Sequence, residues 1–401
     1  MENLTQFPNP LLEQHQRAEA ETQPYGSIEI VATFGEPPVE YAALHKSAGL
    51  MDRPHRGALE LTGDDRLSFL NGLLSNVTWD KVARQPIPAG AVVYSFLLNL
   101  KGRIVCDVLA INLVDRTLLE MDARLVEPVR HVLEQYLFAE KVRLRSLVAA
   151  THELAIYGPG ALDAMRRATG DNTTAAARSV TIAEVECVAF EDDPTGRGGV
   201  GLLVPIASVE RVYHRLMAAN AAPEPGKNLL RPIGWAAYNT CRIEAGRPLF
   251  GIDFDGAAPQ TAYPSRKAQQ EAESDAAGIL PAEAGPLFDR AISLSKCYIG
   301  QEVVARMHAR QQVARKIVGI RMSDEALPLA GAPVLDADQG QVGIVTSSTL
   351  SPVLSNAAIA LAFIKKPHFD PGSTVKIPAE GQIRTATVVE LPFVTGQRAG
   401  G

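Results

Sequence analysis

The chain has 401 residues, 46% hydrophobic and 21% charged, with 39 Lys and Arg against 45 Asp and Glu for a net charge of −6. At about 150 residues per domain that length predicts two or three domains, and the composition excludes collagen-like, coiled-coil and wholly disordered chains. The absence of a like-charge block, an apolar run of membrane-spanning length or a basic-then-apolar opening predicts a cytoplasmic protein with no direct nucleic-acid partner and no membrane contact.

Residues 1–40 are polar and broken by Pro8, Pro10, Pro24, Pro37 and Pro38, which predicts an extension with at most one short helix around Leu11–Ala20. Ala58–Asp65 alternates with period two and ends in a turn, after which Leu67, Leu70 and Leu74 recur at helical spacing. The apolar runs Ala91–Leu98 and Arg103–Asn112 flank Asn99-Leu100-Lys101-Gly102, a hairpin whose Gly supplies positive φ. A helix is expected around Val126–Phe138. Strands and helices do not alternate as βαβ units, so the class is α+β. Residues 221–232 read as a linker or crossover and 257–278 as a surface loop. From about Lys316, short strand-like runs separated by turn signals predict a β-barrel, giving divisions at 1–40, 41–312 and 313–401.

Cys106, Cys187, Cys241 and Cys297 form no Cys-x-x-Cys pair, and no His pair stands at zinc spacing, so no metal site is expected. Gly196-Arg197-Gly198-Gly199-Val200-Gly201 matches a dinucleotide fingerprint, but a strand rather than a helix follows it, and a tight hairpin is the better reading. Cys297 stands just ahead of a helix that Gln301-Glu302 would open after Gly300, with Lys296, Arg306 and His308 nearby. Helix amides and cations favour a thiolate there; a buried inert thiol is the competing reading. Arg242-Ile243-Glu244-Ala245-Gly246-Arg247 gathers two guanidiniums and a carboxylate around a Gly turn, suited either to a ligand carboxylate or to a structural bridge. Asp107, within the apolar run Ile104–Leu109, is a site residue or a strand-end ion pair.

Together with Ala48–Gly57, Phe69–Asn76, Arg242–Asp253, Gly343–Ser347, Ser351-Pro352 and Leu391-Pro392-Phe393, these segments resemble the family that contains the T-protein of the glycine cleavage system and the YgfZ-type folate-binding proteins. Cys297-Tyr298-Ile299-Gly300-Gln301-Glu302 resembles the YgfZ signature Lys-Gly-Cys-Tyr-x-Gly-Gln-Glu, with Ser295-Lys296 in place of Lys-Gly. The resemblance implies a three-domain ring of T-protein type, two intertwined domains over 41–312 plus the barrel, with tetrahydrofolate at its centre. For the YgfZ branch it implies a monomeric accessory protein for iron–sulfur cluster assembly or repair, acting on iron–sulfur client proteins including radical enzymes that modify tRNA. Cys297 would be the reactive group, Asp107 would face the one-carbon centre, and Arg242, Glu244, Arg247 and Tyr298 would bind the folate. Lys296, Gly300, Gln301, Glu302 and Arg306 complete the signature. For the T-protein branch it implies aminomethyl transfer to tetrahydrofolate from a lipoyl carrier; a non-catalytic folate-binding scaffold is the third reading. Two departures from the T-protein pattern stand out. Cys106-Asp107 replaces a pair of acids, and in Thr195–Leu202 the two glutamates of Thr-Gly-Glu-Asp-Gly-Phe-Glu-Leu become Arg197 and Gly201, removing a carboxylate suited to a pterin's paired N–H donors.

Overall fold

The computed structural model describes residues 7–80, 82–173, 175–222, 228–257, 278–310 and 313–395. The expected surface loop therefore lies almost wholly outside the described residues, as does the middle of the expected linker.

The start of the chain departs from the expected extension. It folds as α1 (Leu12–Arg17), a hairpin of β1 (Glu21–Tyr25) and β2 (Ile28–Thr33), and α2 (Pro37–Lys46), so the division at residue 40 falls inside a helix. Leu11 enters a core cluster of the body, and Tyr25, Ile28 and Ile30 form another. The Glu40 carboxylate ties the segment down, accepting from Thr33 Oγ1 at 2.6 Å, Phe34 N at 2.7 Å and Gly234 N at 2.7 Å. Pro37 and Pro38 open α2, where a missing N–H is harmless.

Two sheets form the body. The first has the order β10-β4-β9-β8-β7, from β4 (Arg56–Thr62), β7 (Val92–Leu98), β8 (Ile104–Asn112), β9 (Arg116–Asp122) and β10 (Arg143–Ser146). The second has the order β12-β13-β14-β11-β3-β15, from β3 (Ala48–Asp52), β11 (Thr151–Tyr157), β12 (Ala177–Ile182), β13 (Val185–Glu191), β14 (Gly199–Pro205) and β15 (Leu230–Ile233). The chain passes from the second sheet to the first after β3 and returns at β11. All pairings in both sheets are antiparallel except β15 on β3. Strand β15 corrects the linker reading of 221–232: Leu230 and Ile233 are buried, and Pro232 is tolerated because the strand is an edge.

Each sheet buries one face under helices. α3 (Arg66–Leu73) and α4 (Val126–Glu134) bring Leu70 and Val129 to Leu59, Leu119 and Met121 of the first sheet. α5 (Ala161–Thr169) and α6 (Val209–Ala219) bring Met165 and Leu216 to Leu154, Ile156 and Leu202 of the second. The opposite faces meet, Ala58, Leu109, Ile111 and Leu118 against Val188, Phe190 and Leu203. The short ladder of β5 (Trp79–Asp80) and β6 (Gln85–Pro86) follows α3. The helices α7 (Trp235–Glu244), α8 (Leu287–Ala291) and α9 (Gln301–Arg310) complete the body.

The expected C-terminal barrel is present. Strands β16 (Arg315–Met322), β17 (Pro333–Leu335), β18 (Gln341–Ser351), β19 (Ala357–Lys365), β20 (Thr374–Ala379) and β21 (Gln382–Val389) close in the order β16-β19-β18-β17-β20-β21 around Ile320, Val334, Ala360 and Ile377. It meets the body where Ile317, Ile359 and Leu361 pack with Phe96, Ile243 and Leu287. A register shift in β18 between Val345 and Ser347 brings the successive side chains of Thr346 and Ser347 to one acceptor. Both hydroxyls donate to Asp253 Oδ1 at 2.6 Å. No helix among the described residues is long and apolar enough to cross a membrane.

Candidate functional site

Beside the apolar contact between the sheets, the same inner faces turn polar. On the first sheet Arg56 clamps Glu120 with two hydrogen bonds, one from Nη2 at 2.8 Å, and Tyr94 donates to Asp107 Oδ2 at 3.1 Å. Tyr94 and Asp107 reach one face because Tyr94 pairs with Leu109, two residues along β8. From the second sheet come Arg53, directly after β3, and Asp192, directly after β13. Arg53 Nη1 lies 2.6 Å from Asp192, 2.8 Å from Glu153 and 2.8 Å from the Tyr157 hydroxyl, which itself donates to Asp192 at 2.9 Å.

These neighbours set the charges differently at each acid. Burial opposes charge on Asp192, but Arg53 and Arg56 outweigh it and hold the carboxyl below its ordinary range. Burial dominates at Asp107 and Glu153 and raises both against the pull of nearby arginines. Asp107 Oδ1 is shut off from solvent and accepts no hydrogen bond, so the side chain is held on one oxygen and unpartnered on the other. Burial also drives the Tyr94 hydroxyl well up, and Asp107 adds to it, so Tyr94 stays a donor.

A cavity of about 620 Å³ lies next to this cluster: Glu191 and Asp193, on either side of Asp192 in the chain, wall it together with the hairpin Thr195–Val200, the start of α5, Phe190, Glu244 and Arg247, whereas Tyr94, Asp107 and Arg290 do not line it. The hairpin is the glycine run, as expected: Gly196 and Gly198 take φ of +71° and +91°, and β13 pairs antiparallel with β14. Two guanidiniums here form no ion pair among the described residues. Arg247 Nε has no hydrogen-bond partner, and burial together with Arg290 lowers its hold on the proton. Arg290, from α8, lies 4.5 Å over the Tyr94 ring without an ion pair among the described residues. Two half-buried cations that repel one another, without an ion pair among the described residues, favour an anion.

Position 201 explains the missing acid. Gly201 faces Phe190 across the β13–β14 ladder, and a Cβ there would lie 2.3–2.9 Å from three carbons of the Phe190 ring. The ring occupies the space that a glutamate side chain would need.

Several expected site residues have other duties. Arg242 is 0% exposed; it pairs with Asp253, and Nε and Nη2 donate to Asn239 Oδ1 at 2.9 and 2.8 Å. It is a buried strut rather than a ligand for a carboxylate tail. The Glu244 carboxylate accepts from Tyr41 at 2.7 Å and Ser351 at 2.6 Å, joining α2, α7 and the barrel, although the residue is one of those lining the cavity. Tyr298 is packed among apolar side chains, its hydroxyl without a partner and pushed up to about 12 by burial, which removes it from the cavity wall.

The segment 296–301 leads into α9 as expected. Gly300 takes φ +78° and touches the hairpin turn: a Cβ there would meet Asn99 O at 2.7 Å and Gly102 Cα at 2.8 Å, which accounts for the glycine. Lys296 is buried, donating to Asn71 Oδ1 at 3.1 Å and Asn76 O at 2.5 Å, and so anchors the loop to the end of α3. Cys297 is exposed and Glu302 and Arg306 are exposed on α9, whereas Gln301 is half-buried. Cys297 is not on the cavity wall. The other three cysteines are buried, their thiols raised by burial. Arg53, Arg56, Tyr94, Glu153 and Arg290 were not legible in advance; Arg53 and Arg56 within Asp52-Arg53-Pro54-His55-Arg56 are the nearest thing to a signal.

Two family descriptions match the chain, "GCVT N-terminal domain" over residues 11–262 and "Glycine cleavage T-protein C-terminal barrel domain" over 315–395. Among curated proteins, the aminomethyltransferase of Moorella thermoacetica is 28% identical over 395 residues, 96% of each chain. That of a Geobacillus species is 28% identical over 390 residues, 96% of this chain and 97% of the relative. Among solved structures, the glycine cleavage system aminomethyltransferase T from Bartonella henselae superposes with a TM-score of 0.75 at 21% identity, covering 97% of this chain and 98% of that one.

Proposed function

We infer the function of this chain from one premise: it belongs to the glycine cleavage T-protein family. We propose that it binds a reduced folate in the cavity walled by the hairpin Thr195–Val200 and Arg247 and serves one-carbon chemistry with Asp107, with aminomethyl transfer the reading that its relatives' names support. Tetrahydrofolate, when bound, supplies nitrogens that accept a one-carbon unit. The residues fit it in part. Arg247 and Arg290 are suited to the carboxylates of its glutamate tail, and Asp107 is suited to the reacting end. The family's acid at position 201 is absent, so a pterin's N–H edge must find its carboxylate elsewhere; Asp107 Oδ1 accepts no hydrogen bond, while Glu153 is already ion-paired with Arg53 through Oε1.

The observation that carries the reading is Asp107. One oxygen is fixed by Tyr94 and the other is buried without a hydrogen-bond partner, and burial raises the carboxyl so that it keeps its proton to higher pH than an exposed acid. Asp107 is thereby assigned to hold and release a proton, with Tyr94 orienting it. The test is methylene-tetrahydrofolate and ammonia formation from tetrahydrofolate and an aminomethyl-loaded lipoyl carrier. Turnover in wild type that disappears in Asp107→Asn, with folate binding retained, supports aminomethyl transfer.

A second reading, support of iron–sulfur client proteins, is favoured by one observation: the thiol of the Cys-Tyr-Ile-Gly-Gln-Glu run is the exposed one. It predicts folate binding without ammonia release, and loss of client activity with Cys297→Ser in a cell lacking the wild-type chain.

A further inference from the structure

We propose that His45, Cys241 and Glu244 form a site for one divalent transition metal of the Zn²⁺ class, between α2, α7 and the barrel. Cys241 and Glu244 stand three apart on α7 and therefore share a face, and His45 lies in the last turn of α2, which packs on α7. One ligand atom from each lies within 4.8 Å of the other two. His45 Nε2 is 3.2 Å from Glu244 Oε2, yet both atoms are buried and neither makes a hydrogen bond. The side chains are 10% and 2% exposed, and Cys241 is 0% exposed.

The surroundings hold the donors in place. Glu244 Oε1 is committed to Tyr41 and Ser351, which leaves Oε2 turned to His45, and the Tyr41 ring lies 4.2 Å from the His45 ring. No Lys or Arg among the described residues pairs with Glu244. Imidazole nitrogen, thiolate sulfur and carboxylate oxygen together select Zn²⁺ or Co²⁺ over Mg²⁺ and Ca²⁺, which want oxygen alone. Bonds of about 2.0–2.3 Å in a tetrahedron set ligand atoms roughly 3.5 Å apart, so no edge of this triangle need close by more than roughly 1.3 Å. Binding releases the Cys241 proton to solvent, and water takes the fourth position. The reading that competes is a protonated His45 paired with Glu244 and no metal.

The test is Co²⁺ added to the purified full chain, with the thiolate-to-cobalt charge-transfer absorption and the bound metal measured after desalting. One cobalt per chain is expected in wild type and in Cys297→Ser, with the band lost in Cys241→Ser. His45→Gln, the least buried of the three, should weaken retention at least tenfold and serves if Cys241→Ser does not fold. Zn²⁺ should also raise the unfolding temperature of wild type, and a chelator should reverse the rise. Wild type without the band, an unchanged band in Cys241→Ser, or its loss in Cys297→Ser overturns the proposal.

Discussion

Gly201 and Phe190 define a packing unit whose energetics follow from the geometry. Phe190 is 0% exposed and its ring carbons lie 2.3–2.9 Å from where a Cβ on Gly201 would stand. Gly201→Ala therefore overpacks the interface between the sheets and should destabilise by about 1–3 kcal/mol. Phe190→Ala leaves a void and should cost about 3–5 kcal/mol. In the double variant the new methyl enters space that the ring has vacated, so the clash disappears, and the double should cost less than the sum by about 1–2 kcal/mol. Urea unfolding of the four chains, followed by fluorescence, gives the coupling directly. Additivity within about 0.5 kcal/mol would refute the claim that this ring is what excludes a side chain from position 201. The same reasoning extends to ligand binding. Gly201→Glu in a Phe190→Ala background restores a carboxylate, and a charge-assisted hydrogen bond of about 1.5–3 kcal/mol should tighten folate binding about tenfold or more over Phe190→Ala alone.

Three more outcomes are expected. Arg242→Ala strands the buried Asp253 charge and should destabilise by about 3–5 kcal/mol, whereas Arg247→Ala removes a cation without an ion pair among the described residues and should leave stability within about 0.5 kcal/mol; urea midpoints separate the two. An aromatic disulfide reagent should titrate one thiol in the native chain and all 4 in denaturant, with Cys297→Ser abolishing the native reaction; more than one fast thiol would contradict the burial of the other three. Asp52 is buried between His15 and His152, at 3.0 and 2.5 Å, and burial's penalty on its charge is outweighed by His152 and His15, so its carboxyl is held well below the usual range. Its contribution is then complete above about pH 4, the unfolded value, and is lost as pH falls toward the depressed folded value. Asp52→Asn should flatten that acid limb of stability against pH, and an unchanged limb would place the effect elsewhere.

What was legible in the sequence was local. The helix at Leu67–Leu73, the hairpin at Gly102 and the strands of the barrel are written in periodicity and turn residues, which act over a few positions. The folding of residues 7–40 was not legible, because Leu11 and His15 are buried by partners in the body and two of the prolines that suggested an extension, Pro37 and Pro38, instead open α2. β15 was read as linker because Leu-Arg-Pro-Ile becomes a strand only beside Ala48–Met51, far earlier in the chain. At the site, Asp107 stood out as a charge in an apolar run. Arg242 misled because Glu244 was its obvious neighbour, while its partner, Asp253, lies 11 residues on. Arg290 carried no sequence signal, since its importance comes from its place over Tyr94. His45, Cys241 and Glu244 were hidden for the same reason: the helix spacing covers two of them, and only the packing of α2 brings the third.

The most direct test of the account is calorimetric titration of tetrahydrofolate into wild type and Arg247→Ala. Wild type should bind in the micromolar range, with affinity weakened at least about tenfold in the variant by loss of a charge-assisted contact. No binding by wild type, or equal affinity in both chains, would contradict it.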